Sequence, residues 1–238
     1  MSADYRNFQT YLTEDHHTRP KEYFLKLARL LEEYRAKLPA KARVLDIGCA
    51  TGGLIGFLAE RFPDWSYHGV DISDELLMVA RRSVPNAEFS TGSALELNPD
   101  LKGKFDVVLC LGVIGIFGAG DARRCLINMI DAAAPGGLVY AFGQFNDFDV
   151  DVQVTHRKRV DGKLGSWEAG WSNHSRTTVS EWLAGRARSI RFVDFEMPFA
   201  LTPRADPVRS WTIESGGRLR LTNGLKLLID LSFLEITA

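Results

Sequence analysis

Residues 44–53 read Val-Leu-Asp-Ile-Gly-Cys-Ala-Thr-Gly-Gly, and a second acid, Asp71, follows Asp46 at a distance of 25 residues in Gly69-Val70-Asp71-Ile72-Ser73. Each carboxylate sits in or at the end of an apolar run of strand length. Gly48, Gly52 and Gly53 permit a tight turn and a close approach of backbone to a ligand. An acid at the tip of a second strand is placed to accept hydrogen bonds from ribose hydroxyls. The turn is not the phosphate-binding G-x-G-x-x-G of dinucleotide enzymes. The residue two after Gly48 is Ala50, and the next glycines fall out of step. That spacing disfavours a nicotinamide dehydrogenase.

The elements that must hold these residues are legible around them. Val44, Leu45 and Ile47 form an apolar strand, and Leu54, Ile55, Phe57, Leu58 and Phe62 recur at helical spacing. Ser66 to Val70 is the next strand, ending on Asp71. The string Asp46-Ile47-Gly48-Cys49-Ala50-Thr51-Gly52 resembles the first motif of class I S-adenosylmethionine (SAM)-dependent methyltransferases, with Ala50 where that family has glycine. The resemblance continues through four further pieces. Ala87 to Ser90 is similar to the third strand, and Thr91-Gly92-Ser93-Ala94 to the adenine loop. There Ser93 stands where an aspartate is usual, so it accepts without charge assistance. Phe105 to Gly112 resembles the fourth strand, and Pro135-Gly136-Gly137 with Leu138 to Phe142 the turn and fifth strand.

The resemblance implies SAM as cofactor and S-adenosylhomocysteine as product. It assigns cofactor binding to Asp46, Gly48, Cys49, Ala50, Gly52, Asp71, Ile72, Ser93, Ala94 and Leu111. It also implies a doubly wound, mostly parallel seven-stranded α/β sheet with helices on both faces and an antiparallel last strand. Such sheets bind ligands at the carboxyl ends of their strands, where Asp46, Asp71, Ser93 and Leu111 fall. The chain of 238 residues suits one α/β domain with additions. The expected division is a segment and helix over residues 1–40 that cover the cofactor, then a methyltransferase domain over 41–238 with cap insertions at about 145–176 and 204–225. Helices are expected after Pro20, with Phe24, Leu27, Leu30, Leu31 and Tyr34 on one face, then over Asp74 to Ser83, Ala122 to Ala133 and Thr177 to Ala187. Ser73 is the expected cap of the second of these.

The cap carries what the bare fold lacks. The stretch from Gly143 to Arg176 is far longer than an ordinary strand-to-helix loop. Val150, Val152 and Val154 alternate with polar residues, and Trp211 to Glu214, Ser215-Gly216-Gly217 and Arg218 to Asn223 read as a hairpin. The two insertions are expected to form a small antiparallel β cap over the strand ends, with Ile190 to Glu196 and Leu231 to Ile236 as the last core strands. Methyl transfer from a sulfonium needs an acceptor at near-attack distance and, for an oxygen acceptor, a base. His174 and His156 of the cap are the candidate bases. Trp167, Trp171, Arg157 and the N-terminal Tyr11 are candidates for acceptor binding. Trp167 and Trp171 lie four apart, a spacing that on a helix puts both on one face. Arg157, Lys158, Arg159, Arg218 and Arg220 make the cap locally basic, which would suit an anionic or sugar-like metabolite.

Composition narrows the class. Lys and Arg number 29 against 30 Asp and Glu, so no polyelectrolyte signal points to nucleic acid. The three cysteines, Cys49, Cys110 and Cys125, have no metal-ligand spacing and suit a reducing compartment. His16-His17 lacks nearby carboxylates, and no metal is expected. With no secretory signal and no apolar run long enough to span a bilayer, a cytoplasmic protein without membrane contact is expected, as monomer or homodimer. Leu111-Gly112-Val113-Ile114 lacks the polar-Pro-Pro-aromatic run of DNA amino-methylating enzymes. The reading is therefore a small-molecule methyltransferase acting on an oxygen or nitrogen atom. The alternative is a non-catalytic SAM-binding protein that kept the fold.

Overall fold

The computed structural model describes residues 20–203, 205 and 209–238. Tyr11 and the rest of the aromatic N-terminal segment, Tyr5, Phe8, His16, His17 and Arg19, lie outside the described residues. The first helix is α1 (Glu22–Tyr34), followed by β1 (Arg43–Ile47), α2 (Gly53–Arg61), β2 (Ser66–Asp71), α3 (Asp74–Ser83) and β3 (Glu88–Thr91). Then come β4 (Phe105–Leu111), α4 (Ala119–Ala132) and the long β5 (Ala133–Asn146). The region after it holds β6 (Val152–His156), β7 (Arg159–Val160), β8 (Lys163–Leu164), β9 (Glu168–Ser175) and α5 (Arg176–Leu183). The chain closes with β10 (Ser189–Phe195), β11 (Trp211–Ser215), β12 (Arg218–Thr222) and β13 (Leu231–Thr237).

The main sheet runs β10-β13-β5-β4-β1-β2-β3. Its pairs from β5 to β3 are parallel, and β13 is antiparallel to both β5 and β10. Parallel strands buried on both faces need continuous apolar runs. Val107, Val108, Leu109 and Cys110 of β4 are accordingly all fully buried. One face packs on α1 and α2 through Leu27, Leu31, Ile55 and Leu58, and the other on α4 and α5 through Leu126, Met129, Val179 and Leu183. Register aligns Asp46 with Gly69 on one side and with Leu109 on the other. The ends of β1, β2 and β4 thus arrive together.

Local signals account for the boundaries. Ser73 caps α3, its hydroxyl accepting from Leu76 N at 3.4 Å. Gly216 and Gly217, both at positive φ, turn β11 into β12. Two expectations shift. Helix α4 begins at Ala119, three residues before the expected Ala122, and α5 stops at Leu183 because Gly185 turns left-handed at φ 75°. The antiparallel additions are present but are not hydrogen-bonded into one sheet. Strand β9 pairs with β5 at Phe145–His174 and Asn146–Ser175 and with β6 on its other side, whereas β7–β8 and β11–β12 are separate two-stranded sheets. The pair Trp167 and Trp171 is not helical: Trp171 lies inside β9 and Trp167 just before it.

Candidate active site

The turn after β1 is shaped by three left-handed residues, Gly48 at φ 78°, Ala50 at φ 48° and Gly52 at φ 77°. A Cβ on Gly48 would stand 2.5 Å from Val113 Cγ2, so only glycine fits there. Ala50 holds its conformation against an intrinsic cost of about 1–2 kcal/mol. What holds it is Asp71, whose Oδ2 accepts from Ala50 N at 2.9 Å while Oδ1 accepts from Ser73 N at 3.0 Å. Asp71 therefore ties the turn to the start of α3 besides facing the strand ends. That second duty is invisible in the sequence, since it depends on β1 and β2 lying side by side.

Asp46 is only 3% exposed, with no hydrogen bond or ion pair among the described residues. Burial, and then the charge of Asp71, pushes its carboxyl up to about 7. It opens on a cleft of about 430 Å³ lined also by Gly48, Cys49, Ala50, Thr51 and Leu111. Lys21, Tyr23 and Phe24 of the α1 start line the same cleft. Tyr23 stacks on Phe142 with ring centroids 4.8 Å apart and planes at 18°. Tyr23 and Lys21 escaped the sequence reading because they lie off the apolar face of the helix. Their usable signal was an aromatic and a cation at a helix start leading into the first motif. Cys49 is buried, and burial first, then the charges of Asp46 and Asp71, raises its thiol far above the ordinary range. It stays a protonated, inert packing group.

The residues expected on the adenine side lie by a neighbouring hollow. Ser93 lines a space of about 290 Å³ with Ile47, Val70, Thr91 and Gly92. Its hydroxyl accepts from Leu95 N at 3.1 Å. The carbonyl of Ala94 accepts from Asn128 Nδ2 at 2.9 Å, which anchors that loop to α4. Ile72 leaves half its surface exposed at the end of β2, an apolar face suited to a flat ring.

The cap candidates do not converge in the same way. His174 is 3% exposed, packs edge-on against Trp182 of α5 at 5.2 Å, and neither ring nitrogen has a hydrogen bond. Asp151 Oδ1 lies 3.8 Å from its Nδ1, and burial, opposed by that charge, lowers its pKa. The ring is thus held neutral. His156 is more open, with Nε2 3.6 Å from Glu168 Oε2. Neither histidine lines the 430 Å³ cleft. Trp167 is strongly exposed with the Arg157 guanidinium 4.8 Å from its ring centre, whereas Trp171 is partly buried, so the two tryptophans do not share one surface. The basic character of the cap is reduced by pairing: Arg218 bridges Glu196 at 3.1 Å, and Arg220 bridges Asp230. Among the described residues no group of three or more His, Cys, Asp or Glu is arranged to hold a metal ion.

The donor set fits SAM. A buried carboxylate faces the cleft without a fixed partner, and a second acid ends the neighbouring strand. A sulfonium with an α-ammonium group supplies positive charge to face that carboxylate.

Comparison with known proteins agrees. A methyltransferase-domain family model matches residues 44–137. The chain is 30% identical over 191 residues to dTDP-4-amino-2,3,4,6-tetradeoxy-D-glucose N,N-dimethyltransferase of Saccharopolyspora spinosa, covering 76% of this chain and 74% of that protein. It is 30% identical to trans-aconitate 2-methyltransferase of Variovorax paradoxus over 53% of this chain and 44% of that one. The fold matches SAM-bound CalS10, an amino pentose methyltransferase from Micromonospora echinaspora, at TM-score 0.58 and 18% identity over 97% of both chains. It also matches magnesium protoporphyrin IX methyltransferase from Synechocystis, at TM-score 0.55 and 16% identity over 91% of this chain and 78% of that one. With this cleft and these relatives, the chain belongs to the SAM-dependent methyltransferases, with SAM as its cofactor and a small molecule as its methyl acceptor.

Proposed function

We propose that this enzyme methylates the amino nitrogen of a sugar-like acceptor. The observation that carries the reading is a relative that matches broadly, an aminosugar N,N-dimethyltransferase aligned over about three quarters of both chains. In this reading Asp71 accepts from the ribose hydroxyls, Asp46 and the Gly48–Gly52 turn hold the methionine end, and Ile72, Ser93 and Ala94 hold the adenine. Leu111 closes the floor below the reacting carbon, and Tyr23 of α1 roofs it. When bound, SAM supplies an activated methyl group on its sulfonium. The chain's own residues bring the neutral amine in line with it, exclude water and take up a proton. His156, the more open of the two cap histidines, is the favoured proton acceptor; His174 is kept neutral by burial, the state a base requires. Arg157, Trp167, Trp171 and Tyr11 are the acceptor-side candidates. The segment and helix before residue 41 cover the cofactor, and the insertions at about 145–176 and 204–225 close over the acceptor. Three free cysteines favour a cytoplasmic location, and a net charge of −1 favours no nucleic acid or membrane partner.

A second reading, methyl transfer to a carboxylate, rests on the trans-aconitate relatives, whose matched region covers less than half of the Variovorax protein. Two measurements separate the possibilities. Calorimetry should give SAM binding that Asp71→Ala weakens by about 2–4 kcal/mol. Asp71→Asn should retain part of it, because the amide oxygen still accepts from Ala50 N. Unchanged affinity in a folded Asp71→Ala variant would remove Asp71 from the cofactor site. A methyl-transfer assay offering a dTDP-linked aminosugar against trans-aconitate should favour the amine. Turnover of trans-aconitate alone would reverse the choice.

A further inference from the structure

Two carboxylates stand at neighbouring strand ends beside the cleft, and their surroundings differ. Asp71 is held as the anion: its Oδ2 accepts from Ala50 N at 2.9 Å and its Oδ1 from Ser73 N at 3.0 Å. Asp46, near the end of β1, is only 3% exposed and has no hydrogen-bond or ion-pair partner among the described residues, yet it lines the cleft. When two like groups share a site, the one that is buried and receives no N–H donor is the one that takes a proton.

The groups around Asp46 leave that proton to it. In the turn, burial keeps the Cys49 thiol protonated; on β4, contact with Cys125 and then burial do the same for Cys110. The Arg81 guanidinium of α3 donates to the carbonyl of Phe89 at 3.1 Å. Lys21 and Tyr23 at the start of α1 line the cleft. Burial, and then the charge of Asp71, favours the neutral form of Asp46.

On the reading of this cleft as the SAM site, we propose that Asp46 carries a displaceable proton: the empty cleft holds its carboxyl neutral, and the α-ammonium group of SAM pairs with the carboxylate and expels the proton to solvent. S-adenosylhomocysteine carries the same ammonium, so the proton returns as the product leaves. Every exchange of product for fresh cofactor then passes through one proton. The device meets two opposed demands. A permanent charge buried without a partner would destabilise the ligand-free chain, and a permanently neutral group would give up the ionic contact with the ligand. Below pH about 7 the proton must be displaced against its own concentration, so cofactor affinity falls as the solution becomes more acid.

Calorimetric titration of the full chain with SAM at pH 6, repeated in buffers of different ionisation enthalpy, counts the protons. Wild type should release close to one per SAM bound, and the same for S-adenosylhomocysteine. 5′-Methylthioadenosine, which keeps the adenosine but lacks the ammonium, should bind without release. Asp46→Asn should release none with SAM, and the affinity advantage of wild type over it should shrink by about tenfold per pH unit from pH 7 to pH 5. The wild-type count and the methylthioadenosine titration decide even where the variant binds too weakly to measure. SAM bound without proton release at pH 6 overturns this proposal alone and leaves the cofactor assignment intact. So does a release that persists in Asp46→Asn or that accompanies methylthioadenosine. A chain that bound no SAM at any pH would overturn both the proposal and the reading on which it rests.

Discussion

Asp46 gives the clearest residue-level behaviour. Its carboxyl is raised to about 7 from an ordinary value of 3.8, by burial and by Asp71. An unfolded chain therefore loses this proton first, and stability of the ligand-free protein falls as pH climbs from about 4 to about 7. The loss is on the order of 4 kcal/mol. Asp46→Asn should remove it, so the variant should melt above wild type at pH 8, with the gap closing as the pH approaches 4. Thermal melts across that range measure this, and a gap independent of pH would place the cost elsewhere. If Asp46 holds the methionine end as proposed, the same variant should also lose SAM affinity, because it removes the charge facing the ligand's cationic groups.

At the scale of elements, α1 links core packing to the cleft. Phe24, Leu27, Ala28, Leu30 and Leu31 are buried and fix the helix to the sheet. Its N-cap residue Lys21 makes no side-chain cap, so the first turn relies on packing rather than on a hydrogen bond of the usual capping kind. The Tyr23–Phe142 stack is the visible part of that packing. Tyr23→Ala should weaken SAM binding by about 1–2 kcal/mol, the worth of an aromatic pair with some lost area. The five buried residues should hold global melting within a few degrees, and Tyr23→Phe should bind as wild type. Calorimetry on the pair of variants decides; wild-type affinity in Tyr23→Ala would mean that α1 is not the roof.

Across the whole molecule, Glu235 of β13 joins elements remote in sequence. Tyr34 of α1 and Tyr140 of β5 each donate to it at 2.8 Å, and Arg191 of β10 donates through Nε at 3.0 Å and Nη2 at 2.7 Å. Burial pushes the Glu235 carboxyl up, but the hydrogen bonds from Arg191, Tyr34 and Tyr140 outweigh it and hold the group below its ordinary 4.5. Its contribution is therefore present above that value and fades as the pH falls through the lowered one, the opposite sense to Asp46. Glu235→Ala leaves the buried Tyr140 hydroxyl without its acceptor and Arg191 with only Glu33, 3.6 Å away, and should cost about 2–4 kcal/mol in urea unfolding at neutral pH. The difference should shrink in acid. A cost that persists there would point to packing rather than charge.

Much of this protein was decided locally. The apolar runs of β1, β2 and β4, the Gly216-Gly217 turn and the Ser73 cap follow from side-chain period and turn chemistry within a few residues. Asp46, the glycine turn and Asp71 were legible because a strand-turn-helix unit places its own ends. What the sequence could not determine depended on distant segments meeting. Asp71 holds the turn only because β1 and β2 are in register. Tyr23 enters the cleft only because α1 crosses the sheet above Phe142. Arg218 and Arg220 are paired because Glu196 and Asp230, distant in sequence, fold back on them. Trp167 and Trp171 separate because the segment became an extended strand, whose environment is set by pairing with β5 and β6. Periodicity assigns a face, but only tertiary register decides what that face meets.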